Sequence, residues 1–122
     1  MTWLAVGIGG AVGSVLRYGV GVATNRLMGD TVPYATAAVN VLGCLIAGLL
    51  LGAVDSSRVD LSPANRAFLF AGVLGGFTTF SSFALDTLIL TRNGAGGMAT
   101  VNLIAQLGLG ILAVFAGYSL SK

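Results

Sequence analysis

The residues best able to do chemistry in this chain sit together. Gly72-Val73-Leu74-Gly75-Gly76-Phe77-Thr78-Thr79-Phe80-Ser81-Ser82-Phe83 places three glycines, four hydroxyls and three phenylalanines in twelve positions. Hydroxyls can replace the water that a small, strongly hydrated anion must shed. An aromatic edge carries positive partial charge, so a ring seen edge-on can favour the same anion. Phe80 and Phe83 are three residues apart and share a helix face; Thr79, Ser82 and Asp86 form a second face. The plainer reading of the phenylalanine pair is packing against glycine-rich neighbours. No nucleotide-binding motif or nucleophile constellation accompanies these groups, so neither an enzyme nor a pump is supported.

The element that must carry this stretch is an apolar run from Pro63 to Leu90, where an uninterrupted helix is the default. Paired glycine followed by paired threonine weakens such a helix. Glycine is flexible, and threonine is stiff at χ1 and competes for backbone hydrogen bonds. In a membrane, backbone freed this way must face protein, water or an ion. A break near Gly75 to Thr79 is therefore expected to be a binding site.

The rest of the composition supports a membrane setting. Only 8% of the 122 residues are charged, and the mean hydropathy is +0.94. A spanning helix needs roughly 20 mostly apolar residues, and four such runs fit, at about 3–24, 33–54, 63–91 and 98–120. This predicts one all-α, four-span membrane domain. The net charge of +2 is small and scattered, which argues against a nucleic-acid surface. Without histidine, and with Cys44 alone, a histidine or multi-cysteine metal site and an internal disulfide are excluded. The first apolar run lacks a basic leader and is followed by three more, so it reads as a span.

Each span carries its own signal. The first holds the close-packing step Gly9-xxx-Gly13 and, two-thirds of the way along, Arg17. Arg17 either snorkels to the nearer interface beside Tyr18 or forms a cationic vestibule that attracts an anion. A polar connection over Asn25 to Val32, with Arg26 and Asp30, leads to Pro33 in the first turn of the second span. There Asn40 is the one strongly polar side chain. It hydrogen-bonds a neighbouring helix or donates to an anion. Asp55 to Ser62 is an aqueous loop, and Ser62-Pro63 reads as an N-cap and first-turn pair. The fourth span places Asn102 and Gln106 on one face.

With the N-terminus cytoplasmic, Arg58, Arg66 and Lys122 lie inside and Arg26 and Arg92 outside, almost no positive-inside bias. Such a chain can insert both ways, and two oppositely inserted copies can pair about an axis in the membrane plane. Four short spans enclose little volume, which favours a pathway at a subunit interface. The expectation is a dual-topology, antiparallel homodimer.

Three segments together resemble the Fluc (CrcB) family of fluoride channels over nearly the whole chain. They are Gly9-Gly10-Ala11-Val12-Gly13-Ser14-Val15-Leu16-Arg17-Tyr18, Asn40-Val41-Leu42-Gly43-Cys44, and Gly75 to Phe83, with Ser81-Ser82 where the family more often has Ser-Thr. The resemblance implies a passive, fluoride-selective channel in the inner (plasma) membrane that conveys fluoride resistance. It implies two antiparallel pores and a structural sodium ion held by the backbone carbonyls of Gly75 and Thr78. Phe80, Phe83, Asn40, Thr79, Ser81 and Ser82 would line the pores, with Arg17 at a vestibule. One departure stands out. The family's fourth span usually adds serine or threonine hydroxyls, and here none follows Thr100 within that span's interior. Asn102 and Gln106 could substitute as amide donors, or the chain could be one subunit of a heterodimer. A small proton-coupled drug exporter is the competing reading; it would depend on Asp86, the only acid within a span. A non-transporting scaffold is the third.

Overall fold

In the computed structural model, which describes residues 1–29 and 32–122, every regular element is a helix. Four of them, counting the third span as one, are long and apolar enough to cross a membrane. This is a multi-pass membrane protein. Helix α1 runs Thr2–Met28, four residues beyond the expected end at Thr24, and α2 runs Tyr34–Asp55. The extension keeps Arg26 in the last turn, where a cation suits the negative end of the helix dipole, and Gly29 with φ 80° ends it. Asp30 lies outside the described residues. Pro33 is the N-cap of α2 and receives the Ala37 N–H at 2.9 Å.

The third span is composite. It opens as α3, Pro63–Arg66, where the Ser62 hydroxyl caps the Asn65 N–H at 3.2 Å. It then widens into a π-wound stretch, Ala67–Leu74, and tightens into α4, Gly75–Phe77. Thr78 and Thr79 are extended (ψ 158° and 116°), and α5 restarts over Phe80–Arg92. The paired glycines therefore stay helical and the paired threonines make the break. Helix α6, Gly96–Ser121, completes the bundle.

Lipid gives helices no hydrophobic reason to associate, so close backbone approach does the work. Gly9 and Gly13 of α1 lie directly on the Phe68 and Val73 carbonyls of the π-wound stretch. Reciprocally, a Cβ on Gly72 would come within 2.9 Å of the Gly9 Cα, and one on Gly76 within 2.6 Å of the Gly10 carbonyl. A second seam joins α2 to α6, with Gly48 against the Val114 carbonyl and Gly117 against the Leu45 carbonyl. The buried positions of α6 are Ala99, Asn102, Gln106, Gly110 and Gly117, all small or polar. Its large apolar residues, among them Ile104, Ile111, Leu112 and Phe115, face outward. That is the reverse of a soluble helix and is what a lipid solvent demands.

The break marks a change of partner. Before it, the third span packs chiefly on α1; after it, α5 packs on α6, while α2 lies on α6 and touches both halves.

Candidate functional site at the helix break

The break is held by Asn40. Its Oδ1 accepts the Thr79 N–H at 2.8 Å, and its Nδ2 donates to the Thr79 carbonyl at 3.0 Å. A continuous helix would return the Thr79 N–H to the Gly75 carbonyl. Likewise the Ser82 N–H, which would seek the Thr78 carbonyl, is taken at 3.1 Å by the Thr79 hydroxyl acting as N-cap of α5. The carbonyls of Gly75 and Thr78 thus lose their helical donors to two side chains. These are the two carbonyls expected to hold sodium. Both residues border an open cleft of about 260 Å³ shared with Gly43, Cys44 and Leu74, and Gly75 is exposed.

Two further clefts meet at Thr79. One, about 380 Å³, is lined by Ser14, Arg17, Tyr18, Thr36, Thr79 and Ser82. The other, about 270 Å³, is lined by Asn40, Cys44, Thr78, Thr79, Phe80, Phe83 and Gln106. Arg17 therefore lines one cleft and the phenylalanine pair the other, with Thr79, itself buried, common to both. The Thr79 hydroxyl lies 3.2 Å from that of Ser81 and 3.1 Å from that of Ser82. The Phe80 and Phe83 ring centroids are 5.7 Å apart and their planes are inclined at 58°. Phe83 is 6% exposed and Phe80 76%, so the cleft is open on the Phe80 side. The positive N-terminal end of α5 points at both clefts, which favours a negative charge there.

Sequence reasoning did not join the polar groups into the arrangement the structure shows. The second hydrogen of the Asn40 amide goes to Gln106 Oε1 at 2.8 Å. Gln106 Nε2 donates to Asn102 Oδ1 at 2.7 Å, and Asn102 Nδ2 to the Thr87 hydroxyl at 3.2 Å. Thr87 in turn donates to the Phe83 carbonyl at 2.9 Å. Every bond runs in one direction, from a backbone N–H at Thr79 to a backbone carbonyl at Phe83. Neither terminus can reverse, so each amide orientation between them is fixed. The one signal in the sequence was the four-residue spacing of Asn102 and Gln106; nothing pointed to Thr87. Asp86 is also buried, at 8% exposed. Among the described residues no group of three or more potential metal-ligating side chains comes together.

Residues 4–118 match the family described as CrcB-like protein, Camphor Resistance (CrcB). The chain belongs to the CrcB family. Curated members of CrcB are similar over nearly their full length. The fluoride-specific ion channel FluC of Agrobacterium fabrum is 49% identical over 117 residues, 96% of this chain and 93% of that protein. The protein of the same name from Parabacteroides distasonis is 45% identical, covering 94% and 88%. That of Rhizobium etli is 44% identical, covering 98% and 94%.

Proposed function

We propose that this CrcB protein is a fluoride-selective channel, not an enzyme. It lets cytoplasmic fluoride leave passively through the inner membrane. The observation that carries the reading is the meeting of the Arg17 cleft and the phenylalanine cleft at the hydroxyl-bearing helix break. The names of the relatives agree with it. Arg17 gathers the anion, and the Thr79, Ser81 and Ser82 hydroxyls replace its water. The edges of Phe80 and Phe83, with Asn40 behind them, line the next stretch of the path. A narrow passage formed between these groups would exclude larger halides.

Both clefts are open along the surface of one subunit, and Phe80 projects from it, which supports a second subunit as the missing wall. With so little charge bias, that subunit is an oppositely inserted copy, giving an antiparallel homodimer with two pores. The freed carbonyls of Gly75 and Thr78 fit a hard alkali cation, since they are neutral oxygens without helical donors on residues that border one open cleft. Together with their copies in the partner they would hold the structural sodium ion. When bound, that ion supplies the positive charge that draws the two negative half-helix ends together.

Fluoride efflux from liposomes holding only this purified protein, started with a potassium ionophore, tests the function. Fast fluoride release without chloride release is the expected result; no release from folded protein overturns it. The buried Asp86 favours a second reading, proton-coupled export. Asp86→Asn would abolish an exporter and leave fluoride efflux at least partly intact.

A further inference from the structure

Asn40, the clasp on Thr79, has a neighbour on α2 that faces the same break. Gly43 lies three residues on, and therefore on the same side of the helix. It is buried, but not as the seam glycines are. Gly48 of the same helix lies on backbone, the Val114 carbonyl of α6, which is close helix approach. The atoms nearest the missing Cβ of Gly43 all belong to side chains. They are the Thr78 Cγ2 methyl, which a Cβ would overlap, and the Phe77 ring, whose Cδ2 would be 3.3 Å away. Close approach of two helix backbones does not account for this glycine.

What the gap does is settle Thr78, whose branched side chain is held at both arms. Its hydroxyl donates to the Leu74 carbonyl at 2.9 Å, where its own N–H also ends at 3.0 Å. Its methyl fills the space over Gly43. A β-branched side chain pinned from two directions keeps one χ1. That fixes the backbone where it turns out of the helix, at φ −86° and ψ 158°. This same backbone carries one of the two freed carbonyls, and Gly43, Gly75 and Thr78 line one cleft.

We propose that Gly43 is a positioning residue for the cation site: the side chain it lacks leaves a seat for the Thr78 methyl, and that seat aims the Thr78 carbonyl. The inference rests on the sodium reading and adds how the second span sets the site. Asn40 fixes Thr79 through hydrogen bonds, and Gly43 fixes Thr78 through shape. A Cβ at position 43 cannot share the space with the methyl. Thr78 must then turn about χ1 and give up its bond to Leu74, or shift as a whole. Either way its carbonyl loses its aim, and neutral carbonyls hold a cation only when several point at one spot.

The test moves one methyl across the contact. Gly43→Ala adds it on α2, and Thr78→Ser removes it from the other side while keeping the hydroxyl. Thermal unfolding of the purified protein is followed as sodium chloride replaces N-methylglucamine chloride at constant ionic strength, which gives the sodium concentration for half the stabilisation. The wild type is expected to be stabilised saturably. Gly43→Ala is expected to need about tenfold more sodium or worse, and the Gly43→Ala, Thr78→Ser double variant to return within about threefold of the wild type. A glycine that merely relieves crowding would lower the melting temperature of Gly43→Ala equally with and without sodium and leave half-saturation unmoved. That result overturns the inference and leaves the sodium reading standing, as does weak sodium binding by the double variant. A wild type that sodium does not stabilise removes both. If Gly43→Ala alone fails to fold, the double variant decides the matter, because it restores the volume of the contact.

Discussion

Replacing Asn40 by leucine, which has nearly the same shape and no polar atoms, tests the clasp directly. The substitution removes three hydrogen bonds, of 2.8, 2.8 and 3.0 Å, and orphans the Thr79 N–H, the Thr79 carbonyl and Gln106 Oε1. In a soluble core each orphaned group costs about 1–3 kcal/mol. Between membrane helices, measured pair energies average nearer 0.6 kcal/mol, because the unfolded chain in lipid also finds partners. Asn40 is half-buried, so water reaches part of the site, and a loss of about 2–4 kcal/mol follows. Equilibrium unfolding in mixed micelles with increasing SDS measures it. A companion cycle with Gln106→Leu should be non-additive by about 0.6–1.5 kcal/mol, since both variants delete the same bond. A loss for Asn40→Leu within about 0.5 kcal/mol of zero, the range of an ordinary surface change, would refute the reasoning. So would strict additivity of the pair.

Three other outcomes follow from the same geometry. Gly13→Ala drives a Cβ into the Val73 carbonyl and within 2.9 Å of the Phe77 N; overpacking of about 1–3 kcal/mol is expected in the same unfolding assay. Gly7→Ala, with nothing within 4 Å, is its neutral control. Thr79→Val removes the N-cap of α5 and should cost about 1 kcal/mol, while Thr79→Ser restores most of it. If the proposed dimer holds sodium, exchanging sodium for N-methylglucamine should lower its melting temperature and shift it toward monomer. An unchanged dimer would count against the carbonyl site.

The spans were legible because lipid-facing helices must be apolar over a fixed length, and the Ser62 cap because its chemistry is local. The seam at Gly9 and Gly13 was legible because small residues four apart have one strong physical use in a membrane. The position of the break was legible only to within a turn. The expected stretch ran from Gly75 to Thr79, yet glycine tolerates a helix where a backbone packs on it, as Gly10 packs on Gly76. The threonines gave way because Asn40, 39 positions earlier, captures the Thr79 N–H. The π-wound stretch Ala67–Leu74 has no local signature, since an apolar sequence can take either winding and its contact with α1 decides. The amide chain was invisible for the same reason. Asn102 and Gln106 could be placed on one face, but their joining to Asn40 depends on how α2 lies on α6.

The change of helix partner at the break also orders the protein's assembly during synthesis. The ribosome delivers the chain N-terminus first, so α1 and the first half of the third span can close their glycine seam while α6 is still emerging. Asn40 can take hold of Thr79 as soon as the break has emerged. Its second amide hydrogen then waits for Gln106, and α5 has only its slight contact with α2 until α6 arrives. A chain ending between Arg92 and Gln106 would therefore keep the α1 seam and the Arg17 cleft but lack the Gln106 side of the phenylalanine cleft.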